Sequence, residues 1–362
     1  MKCGERIVRC LTGGEIDRVP FGVGLGWNPW GIYESWKRDS GKGELDIAEE
    51  LKKDKSFALP ALESGLFPSF EEMKIKETDE LVILKDRQGI TKCCRKDAAS
   101  MPEFLDYPVK TPDDWEKLKQ ERFVIGDKKR VIQDWNDFKA RLKETGESVQ
   151  VGVFPYGVFG AVRDLTGVEN LLTGFYDHPE MIRDMMNHLT SLWLSLWEIT
   201  AKEVQIDHIH IWEDMSGRQG SLISPAMVEE FMMPCYDRIA DFAKSHNVRI
   251  VSVDTDGDCS ELVPLMMKHG VNMFFPFEVQ AGNDILEYRK KYPGLGIMGG
   301  LDKRVLSGTL AEVDVEIEKA EAMISKGRYV PMFDHLIPPD AKWNNFKYAA
   351  EKIKFLCESS SK

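Results

Sequence analysis

Basic charge is in short supply in this chain. Its 362 residues hold 48 Lys+Arg against 60 Asp+Glu, a net charge of −12 at pH 7, and such a balance repels polyanions unless a local basic patch intervenes. Nucleic acid is therefore not an expected partner. Cysteine is scarce too: seven residues, at 3, 10, 93, 94, 235, 259 and 357, an odd number with no CxxC. They read as reduced thiols, and a Cys-ligated structural zinc or iron–sulfur cluster lacks its ligands. No apolar run approaches the roughly 20 residues of a membrane span. The N-terminal MKCGERIVRC places Glu5 and Arg9 where a signal peptide needs apolar residues. The expectation is a soluble, cytoplasmic protein with no membrane partner. Fixed-period repeats, low-complexity tracts and linkers are missing, as are GxGxxG, GxxxxGK[ST] and HExxH, so nucleotide-binding and zinc-protease readings fail.

What is present is material for a large core: 43% hydrophobic residues, including 9 Trp and 18 Phe. Short apolar runs recur at Pro20–Gly26, Val149–Phe154, His208–Trp212, Arg249–Val253, Asn272–Phe277, Gly296–Gly299 and Tyr329–Phe333. Each predicts a buried strand. Between them, amphipathic stretches predict helices at Glu169–Phe175, Pro179–Glu203, Pro225–Ser245, Asp258–His269, Asp284–Lys291 and Leu310–Lys326. Ser224-Pro225 and Thr111-Pro112 are credible helix starts. Strand–helix alternation implies parallel strands with right-handed crossovers. Seven visible strands plus one near Phe57–Leu62 would close a (β/α)8 barrel, a single domain over residues 1–362 with an N-terminal elaboration to about 148. A doubly wound open sheet is the alternative. Leu81–Lys96, with DRQG at its turn, predicts a β-hairpin inserted outside the barrel.

In a parallel barrel the chemistry sits where strands end, and here those positions are polar. Glu213-Asp214 follow HIHIW, Asp254 to Asp258 follow RIVSV, Glu278 follows NMFFPF, Asp302-Lys303-Arg304 follow GIMGGL and Asp334-His335 follow YVPMF. Carboxylates crowded at one mouth repel one another unless a cation holds them, which makes a divalent metal an economical explanation. The competing reading is helix capping, which suits Asp214, Asp258 and Asp284. For Asp254 and Asp256 both readings stay open, Glu278 favours function, and His335 is either functional or a buried histidine. His208 and His210 alternate on one strand and face either the core or the helices. Trp27 to Trp30, Tyr156 and Phe159 would either floor a flat ligand or pack loops.

The segments WED (Trp212–Asp214), DTDGD (Asp254–Asp258), FPFEV (Phe275–Val279), GGLDKR (Gly299–Arg304) and DHLIPPD (Asp334–Asp340) resemble the uroporphyrinogen-decarboxylase-like superfamily. More narrowly they resemble its corrinoid-linked methyltransferases of anaerobic demethylase systems. The resemblance runs over nearly the whole chain and is strongest from Gly152 onward. It implies a zinc site, held in that superfamily by a His-x-Cys pair, a later Glu and a late Cys. Here Asp254-Thr255-Asp256 takes the pair's place, Glu278 follows 22 positions after Asp256, and His335 stands for the late Cys. The implied zinc ligands are Asp256, Glu278 and His335, with Asp254 as a fourth ligand or support. Oxygen and nitrogen ligands make zinc a harder Lewis acid, which suits an oxygen substrate rather than a thiol. The resemblance thus implies removal of a methyl group from an O-methyl donor, a phenyl methyl ether by the aromatic residues near the mouth, by the Co(I) corrinoid of a partner protein. Glu213 would orient the leaving oxygen or deliver a proton. Lys303 and Arg304 would contact a corrinoid phosphate or the partner, or form salt bridges. Any homodimer would bury a face other than the mouth. Two alternatives remain within the superfamily: uroporphyrinogen decarboxylation, and transfer from a methylcorrinoid to an acceptor. Against the first, GLGWNPWGIY after the first strand carries no Arg to grip propionates.

Overall fold

In the computed structural model, which describes residues 1–96 and 102–360, the β-branched and aromatic runs of the C-terminal two-thirds form parallel strands. They are β5 (Val149–Gly152), β6 (Ile206–Trp212), β9 (Ile250–Asp254), β10 (Met273–Phe275), β11 (Gly296–Met298) and β12 (Tyr329–Val330), adjacent in the order β12-β11-β10-β9-β6-β5. Helices that alternate with them cover their outer faces, as in a (β/α)8 barrel. The seventh position is the segment expected near Phe57–Leu62. Ala58 pairs in parallel with Val149, its N–H donating to the Ser148 carbonyl at 2.9 Å and its carbonyl accepting from Gln150 at 3.0 Å.

Pro20–Gly26, expected as the first strand, forms no ladder. Gly22 and Gly24 take φ of +74° and +94°, and a Cβ on Gly26 would collide with the Phe333 carbonyl. Glycine is required there because the segment is pressed against the residues after β12. Its Phe21 carbonyl accepts from Asp54 N–H at 2.9 Å, four residues before Ala58. The segment therefore lies between the residues after β12 and those leading to Ala58, without strand geometry.

The helices follow their apolar spacing. Pro179–Glu203 and Leu310–Lys326 have the expected bounds. Thr111 makes a capping box with Asp114, and Ser224 accepts from the Met227 N–H. The Pro225–Ser245 stretch passes through a π-helical turn at Val228–Met232, just before Pro234, a residue with no N–H to donate. Cys3–Thr12 and Trp343–Ser359 are additional helices. One large hydrophobic cluster joins residues from Ile7 to Cys357, with a small second one of Ala58, Phe138 and Val149, and no helix among the described residues is long and apolar enough to cross a membrane.

The expected hairpin is the centre of something larger. β2 (Leu81–Lys85) and β3 (Thr91–Arg95) pair as foreseen, flanked by β1 (Met73–Glu77) and β4 (Glu103–Asp106) in a four-stranded antiparallel sheet. β1 escaped the sequence reading because MKIKE interleaves lysine with Met73 and Ile75, which are 55% and 52% exposed.

Candidate functional site at the mouth of the barrel

Neighbouring strands β6, β9, β10, β11 and β12 end on the same side, so the loops that follow them converge. After β9, the Gly257 backbone takes φ +73°, and a Cβ there would stand 2.6 Å from the carbonyls of Ser216 and Gly217. The Gly of DTDGD thus lets the loop tuck under the short hairpin of β7 (Ser216–Gly217) and β8 (Gly220–Ser221). This turns Asp256 toward the loops of β10 and β12. His335 Nε2 lies 3.6 Å from an Asp256 oxygen. Glu278 accepts from the Gly257 N–H at 3.1 Å, and its other oxygen lies 3.7 Å from the Lys303 ammonium. A cavity of about 300 Å³ opens here, lined by Ser216, Arg218, Asp256, Glu278, Gln280 and Arg304.

Burial pushes Asp256 up to about 7, reinforced by the negative charges of Asp214, Asp254 and Glu278 and opposed by Lys303. Burial also raises Asp254 and, with the Lys303 charge, lowers His335. Asp334 is wholly buried at the end of the β12 segment. It accepts from the Val279 N–H at 2.7 Å and the Lys303 N–H at 3.2 Å, and burial lifts it to about 6. One carboxyl group so joins the loop that presents Glu278 to the loop that presents Lys303. Nothing in its spacing marked Asp334 off from the other strand-end acids, because its partners are peptide N–H groups distant in sequence.

Other expected residues fall differently. Glu213 is fully buried and receives four donors: Val158 N–H (3.0 Å) and the Tyr236 hydroxyl (2.6 Å) on one oxygen, Phe159 and Gly160 N–H (2.7 and 3.0 Å) on the other. A carboxylate has about four acceptor positions, so none is left to orient a leaving oxygen. Its task here is to hold the start of helix Gly160–Thr166. Asp214, read as a cap, instead pairs with Arg163 at 2.7 Å, and the Arg163 guanidinium lies 5.0 Å from the Trp212 ring centre. Asp258 accepts from Ser260 N–H within its loop, ahead of a helix that starts only at Leu262, whereas Asp284 does cap its helix. Lys303 and Arg304 both take the salt-bridge reading: Lys303 turns to Glu278, and Arg304 folds back on Asp302 at 2.6 Å.

His208 and His210 face the inside of the barrel. Both imidazoles reach the Ser252 hydroxyl, at 2.6 and 2.8 Å, and His210 Nε2 lies 3.5 Å from Asp254. Burial drives His208 well below its ordinary value. This array follows from the register that sets His210 beside Ser252 and Trp212 beside Asp254; alternation alone located neither Ser252 nor the inward face. Trp27 is buried and donates to the Pro331 carbonyl at 3.2 Å, and Tyr156 and Phe159 lie in the core, so these rings pack, whereas Trp30 is 42% exposed, its backbone N–H donating to the Ile337 carbonyl at 3.0 Å. The aromatic group at the mouth is instead Trp212 with Phe154, 5.0 Å apart edge to face, with Phe154 43% exposed.

The expected zinc set does not match this arrangement. Asp256 and His335 approach each other, but Glu278 is engaged by Gly257 and Lys303. Among the described residues, no three His, Cys, Asp or Glu side chains stand together as a metal-binding group.

The folded chain is similar to a methyltransferase from Methanosarcina mazei, with a TM-score of 0.59 at 15% identity over 98% of this chain and 99% of that one, a likeness of fold. No curated protein matches the sequence. The model of the uroporphyrinogen decarboxylase (URO-D) family matches residues 93–355, most of the chain and every loop of the mouth described above, and the chain belongs to that family.

Proposed function

We propose that this chain is an enzyme that moves a methyl group from an O-methyl donor, of the aryl methyl ether class, to the reduced corrinoid of a partner protein, with Asp256 as the proton donor. The observation that carries this reading is that Asp256 and Glu278 line one cavity at the C-terminal mouth of the barrel, with His335 3.6 Å from Asp256 and the Phe154–Trp212 ring pair at the end of the neighbouring strand β6; burial and nearby acids push Asp256 up to about 7. Breaking the bond between methyl carbon and oxygen leaves the electron pair on oxygen, and an alkoxide or phenoxide departs more readily when it takes a proton in the same step. Asp256 is suited to that task because it keeps its proton near neutral pH. The ring of the donor would rest on Trp212 and Phe154, and Trp212 is the register neighbour of Asp254. The docked corrinoid supplies the nucleophile; the chain's own residues bind the ether, orient it and hold the proton. Glu213, Asp334 and the His208–Ser252–His210 array hold the loops and strand ends in place.

The test is a screen of methoxybenzenes with reduced corrinoid protein, followed by the corrinoid spectrum and by phenol release. Asp256→Asn should lower kcat by about 100-fold or more, in the range of general acid catalysis, with KM nearly unchanged. An ether with a nitrophenol leaving group, which needs no proton, should regain most of that loss. An equal loss on both ethers would sink the assignment of Asp256.

Family membership favours a second reading, decarboxylation of a tetrapyrrole. The GLGWNPWGIY segment, pressed against the residues after β12, opposes it, since it brings no arginine to grip propionates. Release of CO2 from uroporphyrinogen III would establish it in place of methyl transfer.

A further inference from the structure

Carboxyl groups crowded at one mouth call for a cation, and a metal is not the only candidate. We propose that Lys303 is that cation: its ammonium, beside Glu278, takes the part a metal would play, and the wild-type chain keeps no zinc at Asp256, Glu278 and His335. Three observations converge. Lys303 Nζ lies 3.7 Å from one Glu278 oxygen while the other accepts from the Gly257 N–H at 3.1 Å, so the ammonium and the loop that carries Asp256 meet at one carboxylate. The Lys303 side chain is only 14% exposed, which keeps the ammonium in the site rather than in solvent. Its backbone N–H is held by Asp334, whose other oxygen holds Val279, so the facing of Lys303 and Glu278 is built into the loops.

A dication bound to Glu278 would therefore meet a positive charge at close range in a partly buried space. The remaining acid on the β6 side, Asp214, already has Arg163 at 2.7 Å. The loops thus supply their own counter-charges in pairs, and the ammonium is a further group able to donate a hydrogen bond to an oxygen bound between Asp256 and Glu278.

The inference deepens the reading of the same site, but its test reads metal and not turnover, so either can fail alone. Full-length protein purified without chelator is analysed by plasma mass spectrometry and then titrated with Zn2+ by calorimetry, as wild type, Glu278→Gln, Lys303→Met, Lys303→Arg and Lys303→Met/Glu278→Gln. Wild type and Lys303→Arg should hold well under one zinc per chain and show no saturable uptake. Lys303→Met should gain one site, at least about tenfold tighter than any wild-type binding, and the added Glu278→Gln should abolish it. Lys303→Gln replaces the methionine variant if circular dichroism shows the latter unfolded. Stoichiometric zinc in wild type that Glu278→Gln removes would overturn the inference, and so would a folded Lys303→Met or Lys303→Gln chain that takes up no zinc.

Discussion

The two ends of the barrel use the same residue types to opposite effect. Where the strands begin, helix Cys3–Thr12 covers the opening, and Arg249, next to the start of β9, binds Glu5 at 2.9 Å and Asp207 at 2.8 Å. Hydrogen bonds from Arg249 and Arg9 bring Glu5 down to about 2. Where the strands end, burial and like charges lift Asp256 to about 7. A carboxylate matched by guanidinium serves the fold, and one left among other acids is kept ready to exchange a proton. The difference lies in the neighbours, not in the residue.

The largest break in this comparison should come from a buried acid of the mouth that is matched after all. Glu213→Ala strands three peptide N–H groups and the Tyr236 hydroxyl, and should cost about 3 kcal/mol or more in urea unfolding. Glu213→Gln, which keeps one acceptor oxygen, should lose less. Equal stability of the alanine variant and wild type would mean that the four donors are not held as described.

The titration of the two ends should have opposite signs. Asp256 binds its proton more tightly folded than unfolded, so its contribution is present at low pH and is lost as pH rises from about 3.8 to about 7. Asp256→Asn should therefore gain in melting temperature relative to wild type across that window. Glu5 is the reverse: its stabilisation is present above about 4.5 and is lost as pH falls toward about 2. Glu5→Gln should lie below wild type at pH 6 and converge with it in acid. Parallel profiles for the two variants would refute the contrast.

The smallest effect belongs to Arg249. Arg249→Met should let Glu5 climb back toward 4.5, read by NMR titration, yet lower stability by no more than about 1 kcal/mol because the pair is partly exposed. A larger loss would show that the lower end depends on this charge cluster rather than on the packing of the first helix.

Much of the scaffold was legible beforehand. Pro179–Glu203 and Leu310–Lys326 showed themselves by apolar spacing, and the strand cores by short β-branched runs, because burial of one helical face or of a whole strand leaves a local pattern. Pro20–Gly26 looked like a strand on the same criterion, but its glycines are there for close approach to Met332 and Phe333, a demand set by a segment three hundred residues away. β1 was hidden because a two-sided exposed strand has no apolar face to announce it. Among site residues, the position of acids at strand ends was readable, whereas their duties were not. Glu213 and Asp334 differ from Asp256 in being wholly buried and in accepting peptide N–H groups distant in sequence.

Chain composition and periodicity alone specified the class of fold, the end of the barrel that bears the polar residues, and the excess of acidic charge. These depend on residue type and on neighbours a few positions apart. Which acid keeps a proton, which one pins a loop, and whether a lysine or a metal balances them depended on the folded arrangement. A carboxyl group's proton affinity is set by burial and by nearby charges, and for Asp256 those charges come from the ends of four different strands.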